Sequence, residues 1–104
     1  MIPETECGLS LSVQNKLSEL FAKKPFIEQV VLYGSRAKGN FKSGSDIDLT
    51  IKSSSMQIND LLKIENEIDD LLLPYKVDLS IYSLIDNENL KDHIARLGKV
   101  FFVR

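Results

Sequence analysis

The sequence predicts a small α/β domain of the α+β kind, a mixed β-sheet flanked by helices, and three observations carry that expectation. Short β-branched or alternating apolar runs at 27–33, 47–51, 77–81 and 99–103 are separated by segments whose apolar residues recur at helical spacing. Strands alternating with helices in this way build a sheet covered by helices. The chain has 104 residues, which suits one core, so a single domain over residues 1–104 is expected, without room for a second, substrate-binding domain. With 43% hydrophobic and 27% charged residues the composition is that of an ordinary globular protein, which excludes a disordered or low-complexity reading.

Taken in order, residues 1 to 9 contain Pro3 and Gly8, show no periodicity, and are expected to be a loose lead-in. From about Ser10 to Lys24, Val13, Leu17, Leu20 and Phe21 recur at helical spacing; Lys23 and Lys24 suit the negative end of a helix, and Pro25 stops it. Val30, Val31 and Leu32 form a buried strand that ends at Gly34. In the next strand Ile47, Leu49 and Ile51 alternate with Asp46, Asp48 and Thr50. Ser53, Ser54 and Ser55 are expected to cap a long helix marked by Ile58, Leu61, Leu62, Ile68, Leu71 and Leu72 and terminated by Pro74. Val77, Leu79 and Ile81 then alternate with Lys76, Asp78 and Ser80. A last helix, about Asn87 to Leu97, is expected to close on Gly98 as a left-handed cap, and Lys99–Val103 makes the final strand.

Several function classes are excluded or disfavoured by these bulk properties. Cys7 is the single cysteine, so neither a disulfide framework nor a cysteine metal cluster is expected, and a reducing, cytoplasmic setting follows. No apolar run approaches the roughly 18–20 residues that cross a bilayer, and residues 1–9 lack a basic region followed by an apolar core, so neither export nor membrane insertion is expected. A formal charge of −2 offers no global basic field for long nucleic acid, so a phosphate ligand must be met locally. Arg36, Lys38 and Lys42 cluster between two strands, and alone they would be a solvated loop.

The informative stretch is Leu32-Tyr33-Gly34-Ser35-Arg36-Ala37-Lys38-Gly39 followed by Gly44-Ser45-Asp46-Ile47-Asp48-Leu49. Strand alternation points Asp46 and Asp48 the same way, roughly 6.5–7 Å apart along the chain. Asp78 joins their surface if its strand is the neighbour. Two carboxylates about 4 Å apart repel by roughly 4 kcal/mol at an effective dielectric near 20, a large share of a domain's roughly 5–15 kcal/mol. Protonating one acid would relieve this. Mg²⁺ with oxygen ligands relieves it better and bridges to phosphate. The Gly34-Ser35 turn, opening a short helix, supplies amides and a hydroxyl for distal phosphates, with Arg36 and Lys38 expected to complement the triphosphate charge.

Gly34-Ser35, ten intervening residues, then Asp46-Ile47-Asp48 resembles the signature of the DNA polymerase β nucleotidyltransferase superfamily. Gly34–Gly39 and Ser45–Leu49 are similar to its minimal nucleotidyltransferases, the MNT proteins, and the likeness runs from about Val30 to Ile81. The resemblance implies the nucleotidyltransferase fold, two Mg²⁺ ions held by Asp46, Asp48 and Asp78, and transfer of AMP from ATP to a hydroxyl. It also implies a small helical HEPN partner, with the MNT protein as antitoxin modifying a tyrosine of the HEPN toxin, in a homo- or hetero-oligomer. Lys38 stands where an arginine is more usual, keeping the charge but losing the bidentate fork. Two other readings stay open: a non-catalytic nucleotide-binding or toxin-masking module, and the nucleotide-binding subunit of a small-molecule nucleotidyltransferase. A metal-dependent glycosyltransferase also uses Asp-x-Asp, but the upstream Gly-Ser turn argues against it. His93, Tyr33, Tyr75 and Tyr82 are given structural or surface roles, and Glu65, Glu67, Asp69 and Asp70 a solvated helix face.

Overall fold

The computed structural model describes residues 2–104. Its sheet has four strands, β1 (Gln29–Tyr33), β2 (Ile47–Lys52), β3 (Val77–Ile81) and β4 (Lys99–Val103), in the order β3-β2-β1-β4. β1 is antiparallel to both β2 and β4, whereas β2 and β3 run parallel, so the sheet is mixed as expected. The parallel pair requires a crossover, and the long helix α4 (Ile58–Asp70) supplies it. The other helices are α1 (Glu4–Cys7), α2 (Leu11–Ala22), the one-turn α3 (Ser35–Lys38) and α5 (Glu88–Leu97).

Period-2 alternation sorts the sheet's two faces. One face carries Val30, Leu32, Ile47, Leu49, Ile51, Leu79 and Ile81, all buried beneath Leu17, Leu20 and Phe21 of α2 and Ile64 and Ile68 of α4. The other face carries Val31 and Tyr33 and packs a smaller cluster against Ile94 of α5. A bulge in β4 adds to the main core. Val30 pairs with Phe102 but Val31 with Val100, so Phe101 is an extra residue and two adjacent phenylalanines reach the same side. Phe21 meets Phe101 edge-on at 6.4 Å and Phe102 at 6.1 Å. Arg104 then fastens the end of the sheet by donating to the carbonyls of Ile27 at 3.0 Å and Lys24 at 2.7 Å.

Three local expectations need correction. Residues 2–9 are not a loose lead-in: Ile2, Cys7 and Leu9 are buried, and the Gln14 side chain donates to the Ile2 and Leu9 carbonyls at 2.7 and 3.0 Å, closing the segment over the core. Met1 lies outside the described residues. The serines do not cap α4. Asp60 accepts the Gln57 amide there at 2.9 Å, and Ser53 accepts from the amides of Ser55 and Met56 in the preceding turn. Gly98 is extended at φ −65°, ψ 146°, not left-handed. Its missing side chain is a matter of space, since a Cβ would stand 2.7 Å from Val31 Cγ1 and overlap the Ile94 carbonyl, pushing α5 off β1.

Because Phe21 is fully buried and joins α2 to the bulged strand, Phe21→Ala is expected to cost about 3–5 kcal/mol in urea denaturation. A loss under 1 kcal/mol, on the order of a surface substitution, would contradict this account of the core.

Candidate active site

Register assembles the acids. Tyr33 pairs with Asp48 across β1 and β2, and Asp48 pairs with Asp78 across β2 and β3, so the three form one row on the α5 face. The next row is Val31, Thr50 and Ser80, where the Ser80 hydroxyl donates to Thr50 Oγ1 at 2.9 Å. Asp46 lies one residue before β2, exposed, as is Asp78; Asp48 between them is half-buried. Sequence reasoning placed Asp46 on the strand, and the structure puts it at the strand's mouth.

Burial, then the charges of Asp78 and Asp46, hold the Asp48 carboxyl above the ordinary aspartate range. The Tyr33 phenol is likewise raised, chiefly by burial and further by Asp48 and Asp78, with the nearby Ser80 hydroxyl partly offsetting them. None of the three carboxylates has a cationic partner among the described residues. In the arrangement seen, no three His, Cys, Asp or Glu side chains among the described residues converge closely enough to hold an ion. The donor set nevertheless suits a hard divalent cation: oxygen ligands only, uncompensated by protein cations, with two of the three carboxylates exposed.

Gly34 borders this row. Its backbone, at φ 76° and ψ −156°, lies in a region essentially restricted to glycine, and a Cβ there would collide with the Asp48 carboxylate. The amides of Ala37 and Lys38 return to the Gly34 carbonyl at 3.2 and 3.1 Å, which closes α3 immediately after the turn. Ser35 opens that turn half-buried, and Lys38 ends it exposed. Gly34 and the acids are therefore brought together, with Ser35 adjacent and Lys38 at the rim.

Arg36 is not brought to them, contrary to the expected phosphate role. It is 1% exposed, and its guanidinium donates to the carbonyls of Cys7 at 2.9 Å and Ser45 at 2.9 and 3.2 Å. Phe41 and Tyr75 flank it, their ring centroids 5.3 and 4.8 Å away. A buried cation needs its donors satisfied, and here main-chain oxygens satisfy them. Its effect on the site is indirect, through Ser45, the residue before Asp46.

His93, read from sequence as a surface or packing residue, stands at the site. Its Nε2 accepts the Gly34 amide at 3.1 Å, and its ring meets Tyr33 edge-on at 6.3 Å. Helical spacing could have found it: Leu90, His93, Ile94 and Leu97 stand at i, i+3, i+4 and i+7, which puts His93 on the apolar, sheet-facing side of α5.

A mixed sheet with acids in register on one face, bordered by a glycine turn opening a short helix, defines the architecture of a nucleotidyltransferase domain. The chain belongs to the polymerase β nucleotidyltransferase family, whose model, described as polymerase beta, nucleotidyltransferase, matches residues 15–104. Among solved structures the fold recurs in a toxin–antitoxin structure with AMP-PNP, with TM-score 0.71 and 20% identity over 88% of this chain and 73% of that one. It recurs also in a complex of tri-AMPylated Shewanella oneidensis HEPN toxin with MNT antitoxin, with TM-score 0.67 and 18% identity over 89% of this chain and 71% of that one. The MntA–HepT toxin–antitoxin matches with TM-score 0.67 and 18% identity over 91% and 74%. At these identities the likeness is one of fold. No curated protein matches the chain.

The sign of the Asp48 shift fixes a pH dependence. With the folded pKa above the unfolded one, the folded state binds the extra proton, so stability falls as pH rises through the window above the ordinary aspartate value. Ionised Asp48 therefore destabilises the metal-free fold at pH 7. Asp48→Asn is expected to raise the melting temperature there by a few degrees in chelator, with the gain vanishing below about pH 4. A variant no more stable than the parent at pH 7 would contradict the electrostatic reading.

Proposed function

We propose that this chain transfers AMP from ATP to a hydroxyl of a partner protein, with Asp46, Asp48 and Asp78 holding two Mg²⁺ ions and Gly34 and Ser35 receiving the phosphates. The observation that carries the reading is the Asp48–Asp78 register beside Gly34, within a family of nucleotidyltransferases. Bound metal would supply charge neutralisation at the phosphates and a lowered pKa for the attacking hydroxyl. The chain's residues do the rest. The Ser35 hydroxyl and the amides of Ser35 and Arg36 orient the distal phosphates, since those two amides lack intrahelical acceptors. Asp78, on the edge strand and exposed, faces the acceptor, while half-buried Asp48 serves both the nucleotide and acceptor sides. Lys38 at the rim meets residual phosphate charge. The acceptor oxygen bonds to the α-phosphorus, the bond to the bridging oxygen breaks, pyrophosphate leaves, and the hydroxyl proton passes to solvent.

Support for the acceptor class comes from the fold neighbours, which include a HEPN toxin carrying AMP in complex with an MNT antitoxin and a toxin–antitoxin with AMP-PNP. By that likeness the partner is a small helical HEPN toxin and the chain its antitoxin, acting in the cytoplasm as one minimal domain. A partner fits the architecture, because the acids lie on an exposed surface beside an edge strand.

The test is incubation of the chain with Mg²⁺, the protein encoded beside it, and ATP labelled at either the α- or the γ-phosphate. Label from the α position alone is expected on the partner, and Asp78→Ala is expected to reduce it at least about 100-fold while ATP binding persists. Label from the γ position would indicate phosphoryl transfer instead. An unlabelled partner would leave the chain a nucleotide-binding or masking module.

A further inference from the structure

The Gly34 amide is committed before any nucleotide arrives. It lies one residue beyond β1, and its hydrogen is taken by a side chain 59 positions away, His93 Nε2, at 3.1 Å. Nε2 can accept only if it carries no proton, so the ring is the neutral tautomer protonated at Nδ1. The ring's placement is set by packing. Ile94 beside it is buried in the cluster with Val31 and Tyr33, the Tyr33 ring meets it edge-on, and Gly98 lets the end of α5 approach β1 closely. Leu90, one helical turn earlier, packs against the same cluster.

What this bond controls is the direction of one peptide plane. Gly34 occupies a backbone region open to few residues, and a glycine without a fixed partner has neighbouring wells to visit. Ser35 and the start of α3 follow that peptide directly, so a change in the Gly34 backbone is passed on to them first. We propose that His93 is a positioning residue for the nucleotide: its Nε2 pins the Gly34 peptide so that Ser35 and the first amides of α3 stay aimed at the phosphates. The proposal rests on the nucleotidyltransferase reading above, and it gives α5 a task beyond covering the sheet. A residue acting by ring packing alone would tolerate any side chain of similar bulk. One acting through Nε2 needs an acceptor at that distance from the backbone, which the glutamine carbonyl can reach and the shorter asparagine cannot.

The experiment uses the full chain and calorimetric titration with Mg²⁺–ATP and, separately, with Mg²⁺ alone. Losing one neutral hydrogen bond should weaken Mg²⁺–ATP about five- to tenfold in His93→Ala and His93→Asn. His93→Gln should stay within about twofold of the parent, and the affinity for Mg²⁺ alone should be unchanged in all three. In ¹⁵N-labelled parent protein without nucleotide, a scalar coupling between the Gly34 amide nitrogen and His93 Nε2 should be seen, and it reads the bond independently of function. Equal affinities for Mg²⁺–ATP in parent and His93→Ala would overturn the proposal, as would equal losses in the glutamine and asparagine variants, a parallel loss of Mg²⁺ alone, or absence of the coupling. A parent chain that binds no Mg²⁺–ATP would overturn the underlying function instead, a separate result.

Discussion

The mutual repulsion of carboxylates on neighbouring strands is the constraint around which this small protein is organised. Register puts Asp48 beside Asp78, and the strand's mouth puts Asp46 within electrostatic reach, with no protein cation paired to any of them among the described residues. At an effective dielectric near 20, one such pair at about 4 Å costs roughly 4 kcal/mol, a sum a domain of this size cannot disregard. Protonation of one acid or a bound cation can offset it. In the proposed function the offset comes from a pair of divalent cations with the nucleotide they carry.

The rest of the structure supports the strained row from both sides. Beneath it the sheet's other face is closed by α2 and α4, and the bulge at Phe101 adds a second phenylalanine against Phe21. Above it α5 covers only part of the acidic face, where Ile94 packs on Val31 and Tyr33 and His93 reaches the Gly34 amide. Buried Arg36 joins the N-terminal segment to the loop before Asp46 through carbonyls of Cys7 and Ser45. The positions of the acids thus depend on residues that never meet a ligand.

Most of the architecture was legible in the sequence because period-2 and period-3.6 patterns are strong and local. The four strands, the three longer helices and the mixed sheet followed from periodic runs such as Ile47-Asp48-Leu49-Thr50-Ile51. The glycine turn and the three acids were legible as residues, and their proximity required the β2–β3 register. The misses share one cause, tertiary contact. Arg36 looks like a phosphate ligand until two aromatic rings and distant carbonyls enclose it. Residues 2–9 lack periodicity, yet Gln14 satisfies the Ile2 backbone from twelve residues away. Gly98 suits a helix end for its lack of bulk against Val31, which only packing reveals. His93 carried a usable signal in its spacing with Leu90, Ile94 and Leu97, but not its partner's identity.

In the proposed function these acids, rather than the other carboxylates of the chain, are where divalent metal binds. Titration of ¹⁵N-labelled protein with substoichiometric Mn²⁺ reads this directly, since the ion's paramagnetism broadens nearby amide signals. The account predicts early loss of the signals of residues 34–35, 46–48 and 78, with the rest of the sheet intact. First broadening along α4, around Glu65, Glu67, Asp69 and Asp70, would contradict it.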